Sequence, residues 1–178
     1  MSLNRSYIAL GSNIGESEQY LCSAVEYIAQ DIELIALSSI YETEPWGLTG
    51  QPNFFNAVIS VDYNSNPNNL LKALQDIENH FKRERKSHWS LRTIDLDILL
   101  FGERVMDEPD LKIPHRYLEM RDFFLIPLLE IAPDISNPIT GIKYSEYLRR
   151  LPSQLETIVA RKEVHQWQDT ITSLSRAR

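Results

Sequence analysis

One cysteine, Cys22, stands in a chain of 178 residues, so no disulfide can form within it and a reducing compartment is the expected setting. Cys22 falls in an apolar helical pattern, which reads as a buried thiol rather than a nucleophile. Long hydrophobic runs are missing too. No stretch approaches the roughly 20 apolar residues that span a bilayer, and the opening from Met1 to Tyr7 lacks the apolar centre of a secretory signal. A cytoplasmic protein with no membrane partner is expected. G-x-x-x-x-G-K-[ST], G-x-G-x-x-G and H-E-x-x-H are all absent, which excludes a P-loop, a Rossmann turn and a zinc-protease helix. An excess of positive charge is lacking as well: 18 Lys and Arg face 25 Asp and Glu, a formal −7. That balance argues against the distributed phosphate neutralisation by which nucleic-acid binders hold their partners. Internal repeats and low-complexity segments do not occur.

The positive charge that exists is concentrated. Lys82, Arg83, Arg85, Lys86 and Arg92 face a single acid, Glu84, across residues 82–92, a local +4 that leaves −11 for the rest. This basic segment runs into Arg92-Thr93-Ile94-Asp95-Leu96-Asp97-Ile98-Leu99-Leu100. In a strand the period of two places Asp95 and Asp97 on one face and Ile94, Leu96 and Ile98 on the other. Two acids about 6–7 Å apart along a strand can bracket divalent cations. Magnesium takes one or two carboxylates and completes its shell with water and phosphate oxygens, so a phosphorylated substrate is the expected further ligand. An Asp-x-Asp pair alone can also be the solvated face of a half-covered sheet. The adjoining arginines favour the phosphate reading, because their planar forks grip phosphate oxygens in pairs.

Period and punctuation give the elements. Tyr7 to Leu10 reads as a buried strand ended by Gly11-Ser12-Asn13, and Ser17 as the cap of a helix carrying Tyr20, Leu21, Ala24, Val25 and Ile28. Leu34 to Tyr41 and Phe54 to Tyr63 read as strands. Asn66-Pro67 opens a helix with Leu70, Leu74, Ile77 and Phe81 on one face, and Gln75 and Glu78 beside them. After the acid strand, Gly102-Glu103 turns the chain towards Val105. A further helix is expected over Phe123 to Glu130, with Pro127 starting or bending it. The order β, α, β, β, α, β predicts an α+β, ferredoxin-like sandwich: an antiparallel sheet with helices on one face and the active site on the other. One domain over residues 1–178 is expected. Within it residues 134–178 give a weaker signal, a short helix near Leu148, Leu151 and Leu155 followed by a polar appendage. The long connections, Glu42 to Asn53 and Glu84 to Leu91, read as functional loops. The first offers Trp46, Phe54 and Asn56, rings for stacking and an amide for the edge of a flat heterocycle; equally, Trp46 and Phe54 could be loop anchors.

Together the Gly-Ser-Asn turn, Thr43-Glu44-Pro45-Trp46-Gly47, Gln51-Pro52-Asn53-Phe54-Phe55-Asn56, Arg83-Glu84-Arg85, Arg92-Thr93-Ile94-Asp95-Leu96-Asp97-Ile98 and Pro114-His115 resemble the 6-hydroxymethyl-7,8-dihydropterin pyrophosphokinases of folate biosynthesis, from Tyr7 to about Pro133. The resemblance implies transfer of an intact diphosphate from ATP, the co-substrate, to the hydroxymethyl group of the pterin, with release of AMP. It implies two Mg2+ ions on Asp95 and Asp97, and catalytic roles for Arg83, Arg92 and Asp97. It places Gln75, Glu78, Arg83, Arg85, Trp89, Arg92, Ile98, His115, Arg116 and Arg121 at ATP, and Thr43, Pro45, Trp46, Phe54, Asn56, Trp89, Asp95 and Phe123 at the pterin. The implied partners are these two small molecules, acting on a monomer.

The chain departs from the family pattern where His88-Trp89-Ser90-Leu91-Arg92 replaces the usual Arg-Trp-Gly-Pro-Arg, and where Arg116 stands in place of a frequent Tyr. Two other classes can be weighed. A metal-dependent nucleotidyltransferase sets its Gly-Ser close before its acids, whereas Gly11-Ser12 precedes Asp95 by more than eighty residues. An RNA-binding ferredoxin-like module would suffer repulsion between phosphates and the acid pair.

Overall fold

Phe54–Tyr63, with Phe55, Ala57, Ile59 and Val61 at a period of two, is the longest strand among the described residues and the hub of the sheet. The computed structural model describes residues 4–46, 50–81, 93–162, 167, 169–170 and 172–173. In chain order they form β1 (Asn4–Ser12), α1 (Ser17–Asp31), β2 (Glu33–Leu37), β3 (Ile40–Thr43), β4 (Phe54–Tyr63), α2 (Pro67–His80), β5 (Asp95–Phe101), β6 (Met106–Asp107), β7 (Lys112–Ile113), α3 (Asp122–Ile131), α4 (Tyr144–Arg149) and β8 (Ile158–Lys162). Among them six strands pair antiparallel in the order β5-β1-β4-β3-β8, with β2 also on β4. The first part, β5-β1-β4 with β2 and β3 beyond, is compatible with the expected ferredoxin-like arrangement.

Local chemistry explains several boundaries. Asn66 accepts the Asn69 N–H at 2.9 Å and Pro67 takes the first turn of α2, where a missing N–H costs nothing. Ser17 begins α1 but does not cap it; Glu16 holds that position without a side-chain bond. The single strand expected over Leu34 to Tyr41 is broken at Ser38-Ser39. Ser38 Oγ there donates to the Ser39 carbonyl at 2.8 Å and accepts the Val58 N–H at 2.9 Å, so a side chain stands in the ladder. Pro127 lies inside α3 rather than at its start.

Helices cover both faces, not one. α1 and α2 bury Leu21, Val25, Ile28, Leu70 and Leu74 against Ile8, Leu10, Ile59, Leu96 and Ile98. On the opposite face α3 and α4 bury Phe124, Leu125, Leu128 and Tyr144 against Ala9, Val58 and Leu99. The acids' face is therefore open only where this second layer stops. Nor is the tail a mere appendage. β8 adds to the edge at β3, and Trp167, 1% exposed, enters the first core and donates its indole N–H to the Ser38 carbonyl at 2.7 Å. Cys22 is buried as expected, and burial pushes its thiol up to about 11, where it is inert.

Candidate active site

Sheet register assembles the centre of the site. Gly11 on β1 stands opposite Asp95 on β5 and opposite Asn56 on β4. Leu96 and Ile98, Leu10, and Ala57 belong to the core beneath, so alternation turns Asp95, Asp97, Gly11 and Asn56 to the other face. With strands about 4.8 Å apart, Asp95 and Asn56 are separated by roughly 10 Å, and the residue between them has no side chain. A Cβ on Gly11 would meet Asn56 Oδ1 at 3.0 Å, so any other residue there would press on that amide and require it to shift. Asn56 is buried and donates to Thr43 Oγ1 at 2.7 Å. Asp95 and Asp97 are half-buried while Leu96 between them is buried.

The support of this row is also visible. Glu78, 3% exposed on α2, accepts the Leu96 N–H at 2.8 Å and so fastens β5 between its two acids. Asn13, at the end of the Gly-Ser-Asn turn, donates to Gln51 at 3.1 Å, and Asn53 to Glu42 at 2.9 Å, which tie down the far end of the first long loop.

A basic and aromatic group closes one side. The Arg121 guanidinium lies over the rings of Tyr117 at 4.6 Å, Trp46 at 4.8 Å, Phe124 at 5.0 Å and Phe123 at 5.4 Å. Arg116 lies 4.6 Å from the Tyr117 ring. Cations over ring faces gain about 0.5–2 kcal/mol each, which holds Arg121 and the aromatics to one another. His115 sits edge-on to Phe124 at 5.2 Å, and its Nδ1 accepts the Tyr117 N–H at 3.3 Å. Burial, helped by Arg121 and Arg116 and opposed by Asp95, lowers its pKa to about 4. His115 is therefore neutral near pH 7, with the proton on Nε2.

Among the described residues no three or more His, Cys, Asp or Glu side chains converge as a metal cage. A cation on Asp95 and Asp97 would need donors from water and substrate, which is the donor set that suits magnesium.

A model of the family described as 7,8-dihydro-6-hydroxymethylpterin-pyrophosphokinase matches residues 7–133. The chain belongs to this family. A 2-amino-4-hydroxy-6-hydroxymethyldihydropteridine pyrophosphokinase of Pseudomonas aeruginosa is 43% identical over 138 residues, 76% of this chain and 85% of that protein. The protein of the same description from Methylorubrum extorquens is 41% identical over 160 residues, 88% of this chain and 99% of its own length. The fold resembles that of a solved Plasmodium falciparum HPPK-DHPS with pterin and p-hydroxybenzoate, with a TM-score of 0.69 at 16% identity. The match covers 84% of this chain but only 43% of that one.

Measured against the pyrophosphokinase pattern, the structure brings Asp95, Asp97, Asn56, Thr43 and Phe54 to one face of three strands and the loop beyond, and gathers His115, Arg116, Arg121, Phe123 and Trp46 beside them. Gln75 is half-buried, one turn from Glu78. Ile98 is 3% exposed with its side chain in the opposite core, so a contact with ATP would run through its main chain. Arg83, Arg85, Trp89 and Arg92 lie outside the described residues, as do Ser90, Leu91 and Gly47. Tyr117 and Phe124, which complete the surround of Arg121, carry no sequence signal that distinguishes them from core aromatics. Gly11 could have been found from its turn motif, but its task as the gap between two side chains needs the register.

Proposed function

We propose that this chain transfers the terminal diphosphate of ATP to the hydroxymethyl group of 6-hydroxymethyl-7,8-dihydropterin, giving the pterin diphosphate and AMP. The observation that carries this reading is the row Asp95, Gly11, Asn56: a carboxylate and an amide on either side of a bare strand position, in a chain of this family. Gly11 leaves room for a flat ring, Asn56 and Thr43 present polar atoms to its edge, and Pro45, Trp46, Phe54 and Phe123 frame it, with Trp89. Donation to Thr43 uses one of the two N–H groups of Asn56, so the other and the carbonyl can pair with a fused pyrimidine.

Asp95 and Asp97 would hold Mg2+, two ions in our reading, which supplies charge neutralisation along the polyphosphate. Arg83, Arg85 and Arg92 grip its oxygens, Arg116 and Arg121 contact it, and neutral His115 offers an Nε2–H donor. Gln75, Glu78 and the Ile98 main chain lie beside the nucleotide. Attack by an alcohol on a phosphoryl centre is mainly a matter of positioning and charge, so no activated serine or cysteine is required. A carboxylate oxygen of the pair orients the hydroxyl and takes its proton late. We read residues 1–178 as one domain acting as a monomer on small molecules in the cytoplasm, with nucleic acid and membranes outside its partners. No described helix is long and apolar enough to cross a membrane.

One reaction tests the reading. ATP, Mg2+ and the reduced pterin alcohol should give AMP and pterin diphosphate in equal amounts, without ADP, by chromatography. ADP with free phosphate would overturn it.

A further inference from the structure

The family match ends at residue 133, yet the chain beyond it is bonded to both aromatic walls of the site. β8 pairs with β3 so that Ile158 faces Thr43, and the Thr157 carbonyl accepts the Glu44 N–H at 2.8 Å, one residue before Pro45 and two before Trp46. On its other side the same dipeptide meets Asp122, the first residue of α3, which lies between Arg121 and Phe123 and is 2% exposed. Asp122 Oδ1 accepts from Thr157 Oγ1 at 2.6 Å and from the Phe123 N–H at 2.8 Å. Its Oδ2 accepts the Thr157 N–H and, at 3.0 Å, the Ile158 N–H. Four donors meet a carboxylate with about four acceptor sites, at the helix end where a negative charge is favoured.

We infer that Asp122 is a positioning residue for the pterin side of the site, and that Thr157-Ile158 is the strap through which it acts. The strap couples the exit of β3, with Thr43, Pro45 and Trp46, to the start of α3, with Phe123 and Arg121. Without it these two walls come from separate elements that share no ladder. The effect falls on the pterin because, of the residues hung on the strap, only Arg121 belongs to the ATP side. Asp95, Asp97 and His115 ride on β5 and on the segment hydrogen-bonded to it through the Leu99 carbonyl. This inference rests on the pyrophosphokinase reading.

A second anchor of the same C-terminal region gives an internal control. Glu130, at the far end of α3, accepts from the Ser39 N–H at 2.8 Å, Ser39 Oγ at 2.7 Å, Tyr41 OH at 3.0 Å and Arg161 at 3.2 Å. It fastens β3 and β8 at the end of α3 opposite Phe123, through Ser39, Tyr41 and Arg161 rather than through Thr43 or the residues that follow it.

The test compares full-length Asp122→Asn, Thr157→Val and Glu130→Gln with the unaltered chain. Asp122→Asn turns one acceptor into a donor that opposes Thr157, and should raise the KM for the pterin about tenfold while that for ATP changes less than threefold. Thr157→Val keeps the main-chain bonds and should raise it about threefold, which preserves the test if the first variant folds poorly. Glu130→Gln should lower Tm and leave both KM values alone. Hydrogen exchange supplies a readout independent of turnover: the Glu44 amide should exchange faster in Asp122→Asn and not in Glu130→Gln. Unchanged pterin KM and unchanged Glu44 exchange in both strap variants, or an equal effect of all three variants, would overturn the inference. Absence of AMP formation by the unaltered chain would instead overturn the function on which it rests, and the exchange result would still decide whether Asp122 positions the β3 exit.

Discussion

The acid end and the aromatic end of the site are held by different means. At the acid end, Asp95 and Asp97 take their direction from the backbone of β5, which is laddered to β1 and fastened through Leu96 to Glu78. At the aromatic end, Thr43, Trp46, Phe123 and Arg121 come from a strand end, a loop and a helix start, joined by side-chain hydrogen bonds to Asp122, by ring contacts to Arg121 and by the short pairing of β3 with β8. An array set by a ladder keeps its geometry when its side chains are replaced, whereas an array set by side-chain bonds depends on each of them. The chemistry of the acid end should therefore be separable from folding, and that of the aromatic end much less so.

The largest expected effect is at the acid end. Asp95→Asn or Asp97→Asn should lower kcat about a thousandfold, roughly 4 kcal/mol of barrier, with Tm shifted by no more than about 2 °C. Steady-state kinetics and calorimetry check this. Full activity in both variants would remove the metal assignment, and loss of fold would erase the contrast between the two ends.

His115 sits where the ends meet, since Arg121 and Asp95 both act on it. Its folded pKa of about 4 lies below the unfolded value near 6.5, so neutral His115 favours the folded state fully above about pH 6.5. That contribution is lost as the pH falls towards 4, and amounts to about 3 kcal/mol at most. His115→Gln should flatten this part of the stability profile in urea titrations between pH 7 and 4. An unaltered slope would mean that the imidazole is not held neutral by burial.

A smaller effect sharpens the boundary between the ends. Gly11→Ala would press on Asn56 Oδ1 and should raise the pterin KM about tenfold, roughly 1.4 kcal/mol, with the ATP KM unchanged. A variant with both values unchanged would show that the amide yields at no cost, and that the gap is not part of the pterin floor.

Legibility in the sequence follows the same division. β4 and α2 could be read from one segment each: Phe54 to Tyr63 carries Phe55, Ala57, Ile59 and Val61 at a period of two, and Asn66-Pro67 marks its own helix start. The acid pair was legible because alternation in a single strand places it. The break at Ser38-Ser39 was not, because it depends on Val58 in another strand donating its N–H to the Ser38 hydroxyl. The second helical layer was missed because α3 is apolar nearly all round, which leaves its direction of burial undetermined by period. The docking of the tail was missed because Trp167 and β8 look polar and short until the edge of β3 and the Ser38 carbonyl are known.

By itself the amino-acid sequence determined the order of strands and helices from β1 to β5 apart from the break at Ser38-Ser39, the single-face pairing of Asp95 with Asp97, and membership of the family, because these depend on neighbours a few residues apart or on motifs kept in line. Only the tertiary structure decided that Gly11 is a gap between Asp95 and Asn56, that four rings enclose Arg121, and that Thr157 ties β3 to Asp122. Those relations depend on strand register and on hydrogen bonds between distant segments, which no local pattern specifies.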